Sequence, residues 1–234
     1  SGTFRSYGIH AGPAVSAGSS VIRMLGILED LDAELVPLGS PDYYDQLIRA
    51  QEVAQSEREQ AGISGSSTTH VNVVDADGNM ANATFTLGHP FGSGIVAPGT
   101  GLLLLNTLNQ FSGVEGHANA PAPGRKAMWN GSPLIMSRDG RPVLSIGAPG
   151  GPRISAAVVQ VLMNHLVYRL SPQNSIQVPR VFRTADRVLL DDRVEPEVVT
   201  ALARRGYKVE PVRESFSSVN FARPGLISLD AAAG

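Results

Sequence analysis

The stretch Ile63-Ser-Gly-Ser-Ser-Thr-Thr-His-Val-Asn-Val-Val-Asp75 organises this chain. Small, flexible residues precede the pair Thr68-Thr69, and a β-patterned run from Val71 to Val74 follows at once. Asp77 and Gly78 are turn residues that close this run. The stretch is therefore predicted to be a loop that enters a strand. Taken alone, a threonine pair at such a place only starts a strand.

The composition excludes several classes of function. Of the 234 residues, 42% are hydrophobic and 17% are charged, and the net charge is -2, so nucleic acid is not an expected partner. No apolar run reaches the length of a membrane span, so a membrane partner is not expected either. The chain has no cysteine, which excludes disulfides, thiolate catalysis and cysteine-based zinc sites.

Helices are predicted before the central stretch and mainly strands after it. Apolar residues from Val21 to Leu31 recur at helical spacing, and Pro41 suits the first position of a helix that runs to about Gln60. The segments 69–75 and 80–87 predict a β-hairpin, and 102–106 is typical of a buried strand. Further strands are predicted at 134–136, 143–146, 188–190, 207–212, 219–222 and 226–229, with helices at 154–170 and 196–205. This order predicts a layered α+β sandwich.

Few residues of the chain carry chemistry by their pattern alone. Gly150-Gly151 lie between a predicted strand and the start of a helix, where backbone amides can hold a developing negative charge, although a structural turn is an equally good interpretation. The five histidines show no metal-binding spacing, so neither a metal nor a cofactor is expected. His165, within an apolar helix, is predicted to be a core residue. No G-x-S-x-G elbow exists to anchor a serine triad.

The order of motifs along the chain resembles that of the γ-glutamyltransferases, which are N-terminal nucleophile hydrolases. The run from Thr68 to Asn79 resembles the start of that family's small subunit, and residues 1–5 with the predicted helix at 20–32 resemble the end of its large subunit. The later motifs are Phe91-Gly92-Ser93-Gly94-Ile95-Val96, Gly101 to Phe111, Gly124-Arg125-Lys126 with Ser132-Pro133, Gly147-Ala148-Pro149-Gly150-Gly151-Pro152-Arg153, and Pro179-Arg180. The resemblance covers nearly the whole chain and implies a four-layer αββα sandwich, with residues 1–67 as a large-subunit-like segment and 68–234 as the catalytic segment of one globular domain.

The resemblance also implies a mechanism. Precursors of this family cut themselves before a threonine, which places the cleavage site between Ser67 and Thr68. The freed α-amino group, with an ordinary pKa of roughly 7.7 to 8.0, then acts as general base for the Thr68 hydroxyl. Thr86 would orient Thr68, and the amides of Gly150 and Gly151 would form the oxyanion hole. The implied partners are a small-molecule substrate and the large-subunit segment of the same precursor, as a heterodimer.

Three departures from the family pattern affect the expected substrate. Gln110 replaces an aspartate that holds the substrate's α-amino group, Trp129-Asn130 replace paired serines near its α-carboxylate, and Gly88 replaces an asparagine. A charged partner of an ammonium contributes a few kcal/mol in a closed pocket, so glutathione is not the expected substrate.

Four interpretations follow from these residues. The first is an autoprocessed hydrolase or acyltransferase with a non-glutamyl substrate, for which hydrolysis is favoured over transfer. The alternatives are a C–C bond hydrolase of an alkylproline-type antibiotic pathway, a γ-glutamyl hydrolase or transpeptidase, and an unprocessed inactive scaffold. A biosynthetic enzyme would be cytoplasmic, whereas a conventional family member would be secreted or periplasmic.

Overall fold

Two stacked sheets and a set of helices form the body of the protein. The computed structural model describes residues 1–59, 67–117, 119–215 and 220–229. The strands are β1 Gly2–Phe4, β2 Tyr7–Ala11, β3 Ser67–Val74, β4 Met80–Gly88, β5 Leu134–Arg138, β6 Arg141–Gly147, β7 Val181–Arg183, β8 Val188–Asp191, β9 Val209–Val212 and β10 Gly225–Ser228. The α-helices are α1 Gly18–Ile27, α2 Pro41–Glu59, α3 Ile154–Leu166, α4 Pro172–Gln177 and α5 Pro196–Arg204.

The five-stranded sheet has the order β1-β2-β5-β6-β10, and all of its neighbouring strands are antiparallel. Alternation along its strands gives it two different faces. One face carries apolar side chains that pack with helices α1 and α3 in the main core: Ile9, Leu134, Met136, Leu144 and Ile146. Burial of this face against the helices is the main stabilising contribution to the fold.

The hairpin of β3 and β4 packs on the other face of the five-stranded sheet. Its register sets Thr68 opposite Thr86, and Asn72 opposite Asn82. The Asn72 side chain donates to the Gly225 carbonyl at 2.9 Å, and that of Asn82 donates to the Leu134 carbonyl at 2.8 Å. The contact between the two sheets is therefore polar and hydrogen-bonded, which fixes the hairpin in one position.

The α+β prediction is confirmed, and so are the predicted hairpin, α2 and the helix that begins at Ile154. Every residue of α3 is buried. His165 is fully buried, with its ring nitrogens hydrogen-bonded to the Leu170 carbonyl at 2.8 Å and the Ser228 hydroxyl at 2.9 Å, so the prediction of a core histidine is confirmed. Strands β7, β8 and β9 form a third sheet, which shares no strand with the other two.

The predicted buried strand at 102–106 is wrong. Leu102 is 66% exposed and Leu105 is 52% exposed, and the segment forms an isolated bridge between Val96 and Leu103. An apolar run predicts buried side chains, but the pattern does not say which residues bury them. The described part of this chain does not bury this run. The predicted strand at 219–222 is also absent over residues 220–222, whereas Val219 lies outside the described residues.

Both sides of the predicted boundary at residue 67 contribute to the same sheet. Strands β1 and β2 precede the boundary, and β2 pairs directly with β5 in register Gly8–Ser137 to Ala11–Leu134. Among the described helices, none is both long and apolar enough to cross a membrane.

Candidate active site

The Thr68 and Thr86 hydroxyls form a short hydrogen-bonded chain at the start of β3. Thr68 Oγ1 donates to Thr86 Oγ1 at 3.3 Å, and Thr86 Oγ1 donates to the Ser67 carbonyl oxygen at 2.7 Å. The backbone N–H of Gly88 also donates to Thr86 Oγ1, at 3.0 Å. The Thr86 hydroxyl is therefore fixed by three partners, and it polarises the carbonyl immediately before Thr68.

The strand register shifts between Ser67 and Thr68. Such an irregularity inserts extra backbone on one strand, bends it and re-aims the neighbouring side chain. Strand residues alternate between faces, so Thr68 lies on the face of His70 and Asn72, toward Thr86 and the five-stranded sheet, whereas Thr69 is exposed on the other side of the hairpin. The packing of the five-stranded sheet on that face therefore makes Thr68, and not Thr69, the threonine at the site.

Gly88 occupies a position that suits only glycine. Its φ is +82°, and an added Cβ would lie 2.8 Å from the Asn106 carbonyl oxygen. The sequence predicts a substrate-binding role for Gly88, and that role stays a prediction. In the structure Gly88 holds Thr86 and does not belong to the lining of the cavity beside Thr68.

A small cavity brings most of the predicted site residues together. It is lined by Thr68, Thr86, Gln110, Trp129, Asn130, Gly131, Gly151 and Ile154. Its free volume is about 10 Å³, room for a single water molecule, so in the uncut chain these side chains nearly fill the site. A wider groove of about 530 Å³ also reaches Thr68 and is lined by Phe85, Leu87 and Leu105 among other residues.

Gly150 and Gly151 lie at the turn between β6 and the first helical turn before α3. Gly150 has φ +145°, and an added Cβ would lie 2.5 Å from the Ala222 Cβ, while Gly151 has φ +62°. The first amides of a helix have no intrahelical acceptor. The turn is therefore suited to present N–H groups to an anion, and Gly151 lines the cavity that contains Thr68.

Gln110 is buried at the end of a 3-10 turn, Leu108–Gln110, with 4% of its surface exposed. Its Oε1 atom has no hydrogen-bond partner among the described residues. Asn119, which is 1% exposed, donates from Nδ2 to the Gln110 carbonyl at 2.6 Å and accepts from the Met128 N–H at 3.1 Å. Nothing in the sequence marks Asn119, because an asparagine in a polar loop gives no signal of a structural role.

Trp129 and Asn130 form the wall of the cavity opposite the hairpin strands. The backbone N–H of Trp129 donates to the Val15 carbonyl at 3.0 Å, and the backbone N–H of Ala17 donates to the Gly131 carbonyl at 3.0 Å. The Trp129 ring lies directly over Gly131, where an added Cβ would overlap it. Residues before the predicted cleavage site therefore hold the wall of the site that follows it.

His70 is a second residue whose role the sequence did not reveal. It follows Thr68 by two residues on the same face, and its ring is hydrogen-bonded to Thr84 Oγ1 and Asn72 Oδ1, both at 2.9 Å. Burial lowers the pKa of His70, although the Asn72 hydrogen bond opposes this effect. A Cβ added at Gly147 would overlap the ring. The sequence signal for this role is the recurrence of polar residues at every second position, namely Thr68, His70 and Asn72.

Among the residues described, no group of three or more histidine, aspartate or glutamate side chains is placed to hold a metal ion. The polar side chains that line the small cavity are those of Thr68, Thr86, Gln110, Trp129 and Asn130.

A family model for gamma-glutamyltranspeptidase matches residues 56–233 of the chain. The acylase ACY 1 proenzyme of Pseudomonas sp. (strain V22) is 30% identical over 89% of this chain and 45% of its own length. The glutathione hydrolase proenzyme of Escherichia coli (strain K12) is 28% identical over 89% of this chain and 46% of its own length. The chain thus spans about half the length of these curated relatives.

Two solved structures show the same fold. Cephalosporin acylase from Bacillus halodurans superposes with a TM-score of 0.79 at 24% identity, over 97% of this chain and 48% of that chain. Gamma-glutamyltranspeptidase from Pseudomonas nitroreducens, complexed with L-DON, superposes with a TM-score of 0.59 at 32% identity, over 70% of this chain and 90% of that chain. The predicted sandwich of the N-terminal nucleophile hydrolases is therefore confirmed.

Proposed function

Because the chain belongs to the γ-glutamyltranspeptidase family, whose members are hydrolases and acyltransferases, we propose that it cuts itself before Thr68 and then hydrolyses amide bonds with that threonine. The observation that carries the proposal is the hydroxyl chain from Thr68 through Thr86 to the Ser67 carbonyl. It supports the proposal because two hydroxyls and the carbonyl of a single peptide bond are hydrogen-bonded in series, as attack of one hydroxyl on that carbonyl requires.

The cut begins with attack of Thr68 Oγ1 on the Ser67 carbonyl carbon. As the new C–O bond forms, the Thr68 proton moves to Thr86 Oγ1, and the Thr86 proton moves toward the carbonyl oxygen. The Ser67–Thr68 C–N bond then breaks, the nitrogen takes a proton, and an ester remains. Water opens the ester, which leaves a carboxylate on Ser67 and a free α-amino group on Thr68.

The same hydroxyl then acts on substrate. The α-amino group of Thr68 takes the hydroxyl proton, since its ordinary pKa of about 7.7 to 8.0 leaves much of it neutral near pH 8. Thr68 Oγ1 attacks the substrate carbonyl, and the Gly150 and Gly151 amides stabilise the oxyanion. The departing amine takes the proton, and water hydrolyses the acyl-enzyme. We favour hydrolysis over transfer to an amine acceptor.

The comparisons support this order of events. The curated relatives are named proenzymes. Residues 68–234 make up about 70% of the chain, which is also the share that matches the Pseudomonas nitroreducens chain over 90% of its length. We infer that residues 68–234 form a catalytic subunit and that residues 1–67 are the last part of a large subunit. The two subunits form a heterodimer, which acts on a small-molecule substrate.

Intact-mass analysis of the purified protein tests the proposal. We expect a fragment that begins at Thr68, and we expect Thr68→Ala to abolish both the cut and amide hydrolysis. Thr69→Ala is the matched control, because Thr69 is exposed on the other face, and it should be cut normally. An uncut wild-type chain that resists electrophilic inhibitors would support the inactive scaffold instead.

Hydrolysis of γ-glutamyl amides is the second candidate function. The glutathione hydrolases among the relatives favour it, with up to 38% identity in Pseudomonas aeruginosa over 66% of this chain and 30% of that relative. Gln110 in the cavity argues against it, because a carboxamide does not neutralise an ammonium. Release of p-nitroaniline from γ-glutamyl-p-nitroanilide decides the matter, and brisk Thr68-dependent release would establish this activity.

A further inference from the structure

We propose that the small cavity beside Thr68 takes the neutral O–H or N–H donor of a substrate's uncharged acyl group, that this donor bonds to Gln110, and that the rest of the acyl group lies in the wider groove at Thr68. The inference rests on the proposed function, since the acyl group is the part of the substrate that becomes attached to Thr68. It adds the chemical class of that group, which the hydroxyl chain at Thr68 leaves open.

The first argument is the unpartnered oxygen of Gln110. The residue is 4% exposed, its Oε1 atom has no hydrogen-bond partner in the described part of the chain, and it lines the same cavity as Thr68. Buried polar groups in native proteins are hydrogen-bonded, and an exception calls for an explanation. A carboxamide oxygen only accepts hydrogen bonds, so the missing partner is a donor.

The second argument is the absence of charge in the lining. None of the eight residues that line the cavity has an ionisable side chain, and the proposed cut adds only a basic group, the Thr68 α-amino group. An ammonium group would lose its hydration free energy there without gaining a carboxylate partner. A hydroxyl or amide N–H has a smaller hydration free energy, and a single hydrogen bond to Gln110 compensates for its loss. A neutral donor therefore fits this cavity better than a cation of the same size.

The third argument is that the acceptor is held in place before any substrate arrives. Asn119 bonds to the Gln110 carbonyl and to the Met128 N–H, so one buried amide ties the Gln110 turn to the segment that carries Trp129. Trp129 is anchored in turn to Val15. A rigid acceptor beside a flat aromatic wall suits a short apolar acyl chain that ends in a single donor.

Three p-nitroanilides of matched size test the inference: pentanoyl, 4-hydroxybutanoyl and 4-aminobutanoyl, which differ only in a terminal methyl, hydroxyl or ammonium. With the self-cut protein we expect kcat/KM for the hydroxyl compound to exceed that for the methyl compound at least tenfold, with the ammonium compound slowest. Gln110→Met should remove the preference for the hydroxyl, and Gln110→Glu should raise the ammonium compound relative to the other two.

Controls separate this inference from the proposed function. Asn109→Ala alters the neighbouring residue, which lies outside the cavity lining, and should leave the ratios unchanged. Thr68-dependent turnover that favours the ammonium compound, or an unchanged ratio in Gln110→Met, would overturn the inference and leave the nucleophile in place. Loss of turnover in all three would instead contradict the proposed function.

A binding measurement tests the inference even if the protein does not hydrolyse the three anilides. Trp129 is the only tryptophan of the 234-residue chain, so its fluorescence reports on the cavity, and Trp129→Phe identifies the signal. We expect 4-hydroxybutanamide to bind at least tenfold more tightly than pentanamide or 4-aminobutanamide. Equal affinities, or no change in fluorescence with any of the three, would overturn the inference.

Discussion

At the scale of single residues, the Thr86 hydroxyl connects more of the site than any other group described there. It accepts from Thr68 and from the Gly88 N–H, and it donates to the Ser67 carbonyl. A threonine in a strand ordinarily contributes to β propensity alone. Its importance here comes from its register opposite Thr68, which the hairpin sets.

Replacement of Thr86 by valine should slow the self-cut without unfolding the protein. Valine keeps the shape and removes the hydroxyl that polarises the Ser67 carbonyl. Loss of one such donor typically lowers the rate by about 10²- to 10³-fold, measured here as the time course of fragment formation by mass spectrometry. Thr69→Val, on the exposed face, should cut at the wild-type rate. A normal rate in Thr86→Val would mean that Thr86 only occupies space.

Gly88→Ala should both destabilise the protein and slow the cut. The left-handed backbone costs a non-glycine residue about 1–2 kcal/mol, and the new methyl group would lie 2.8 Å from the Asn106 carbonyl oxygen. Gly99→Ala is the matched control, because Gly99 has φ +74° but nothing within 4 Å. Denaturant titration should show a larger loss for Gly88→Ala, and equal losses would contradict the role of the close contact.

At the scale of elements, the polar face of the hairpin determines how the two sheets meet. His70 bonds to Asn72, and Asn72 and Asn82 both bond to the Ser145 hydroxyl. The two asparagines also donate to backbone carbonyls of the five-stranded sheet. Apolar sheets can slide against each other at small cost, whereas a network of directed hydrogen bonds has one position of lowest energy. Strand β3, which carries Thr68, is thereby fixed relative to β6 and the turn at Gly150.

His70 should make the stability of this interface depend on pH. Burial lowers its pKa from the ordinary value of 6.5, so the unfolded chain binds a proton more readily than the folded one just below that pH. The free energy of unfolding should be at its full value above pH 6.5 and fall as the pH drops through the folded pKa. His70→Asn should flatten this slope between pH 5 and about 7, measured by urea titration, and an unchanged slope would contradict the assignment.

Asp191 ends strand β8 and supports the third sheet. Burial opposes its ionisation, but hydrogen bonds from the Arg193 guanidinium at 2.6 and 2.8 Å and from the Arg193 N–H outweigh burial and hold its pKa below the ordinary value. Its contribution to stability should therefore be present above about pH 4 and lost as the pH falls through the folded pKa. Asp191→Asn should cost roughly 1–3 kcal/mol at pH 7 and little at pH 2; equal losses at both would refute the ionic role.

At the scale of the whole molecule, the two pieces separated by the proposed cut share one core. Strands β1 and β2 belong to the same sheet as β5, β6 and β10, and α1 and α2 contribute to the same apolar cluster as α3. Removal of one peptide bond leaves these contacts intact. The segment before Thr68 is thus a structural part of the site, since it also holds Trp129 through Val15.

The cut protein should accordingly remain a single particle. We expect native mass spectrometry to give the mass of the intact chain plus one water, and denaturing analysis to give two pieces. Because they share a buried core, the pieces should separate only in denaturant. Dissociation in dilute buffer would show that the shared sheet does not hold them together.

Local sequence patterns are sufficient to predict the helices and strands that have a clear hydrophobic period and clear residues at their ends. The α2 helix begins at the predicted Pro41, and the β3–β4 hairpin follows its alternating residues and its Asp-Gly turn. Residues 102–106 were misassigned because an apolar run does not identify the surface that covers it. Strand β7 and helix α4 have no recognisable sequence pattern, because three and six residues are too few to show a hydrophobic period.

The sequence by itself determined the α+β class, the hairpin after Thr68 and the order of motifs that identifies the family, because these depend on neighbouring residues. Tertiary structure alone decided which of two threonines faces the site, that Gln110 is buried with an oxygen that has no partner among the described residues, and that Asn119 and Val15 hold the cavity wall. Those facts depend on burial and hydrogen bonds between residues distant in the chain. Such contacts exist only once the two sheets and the loop from residue 106 to 131 are packed together.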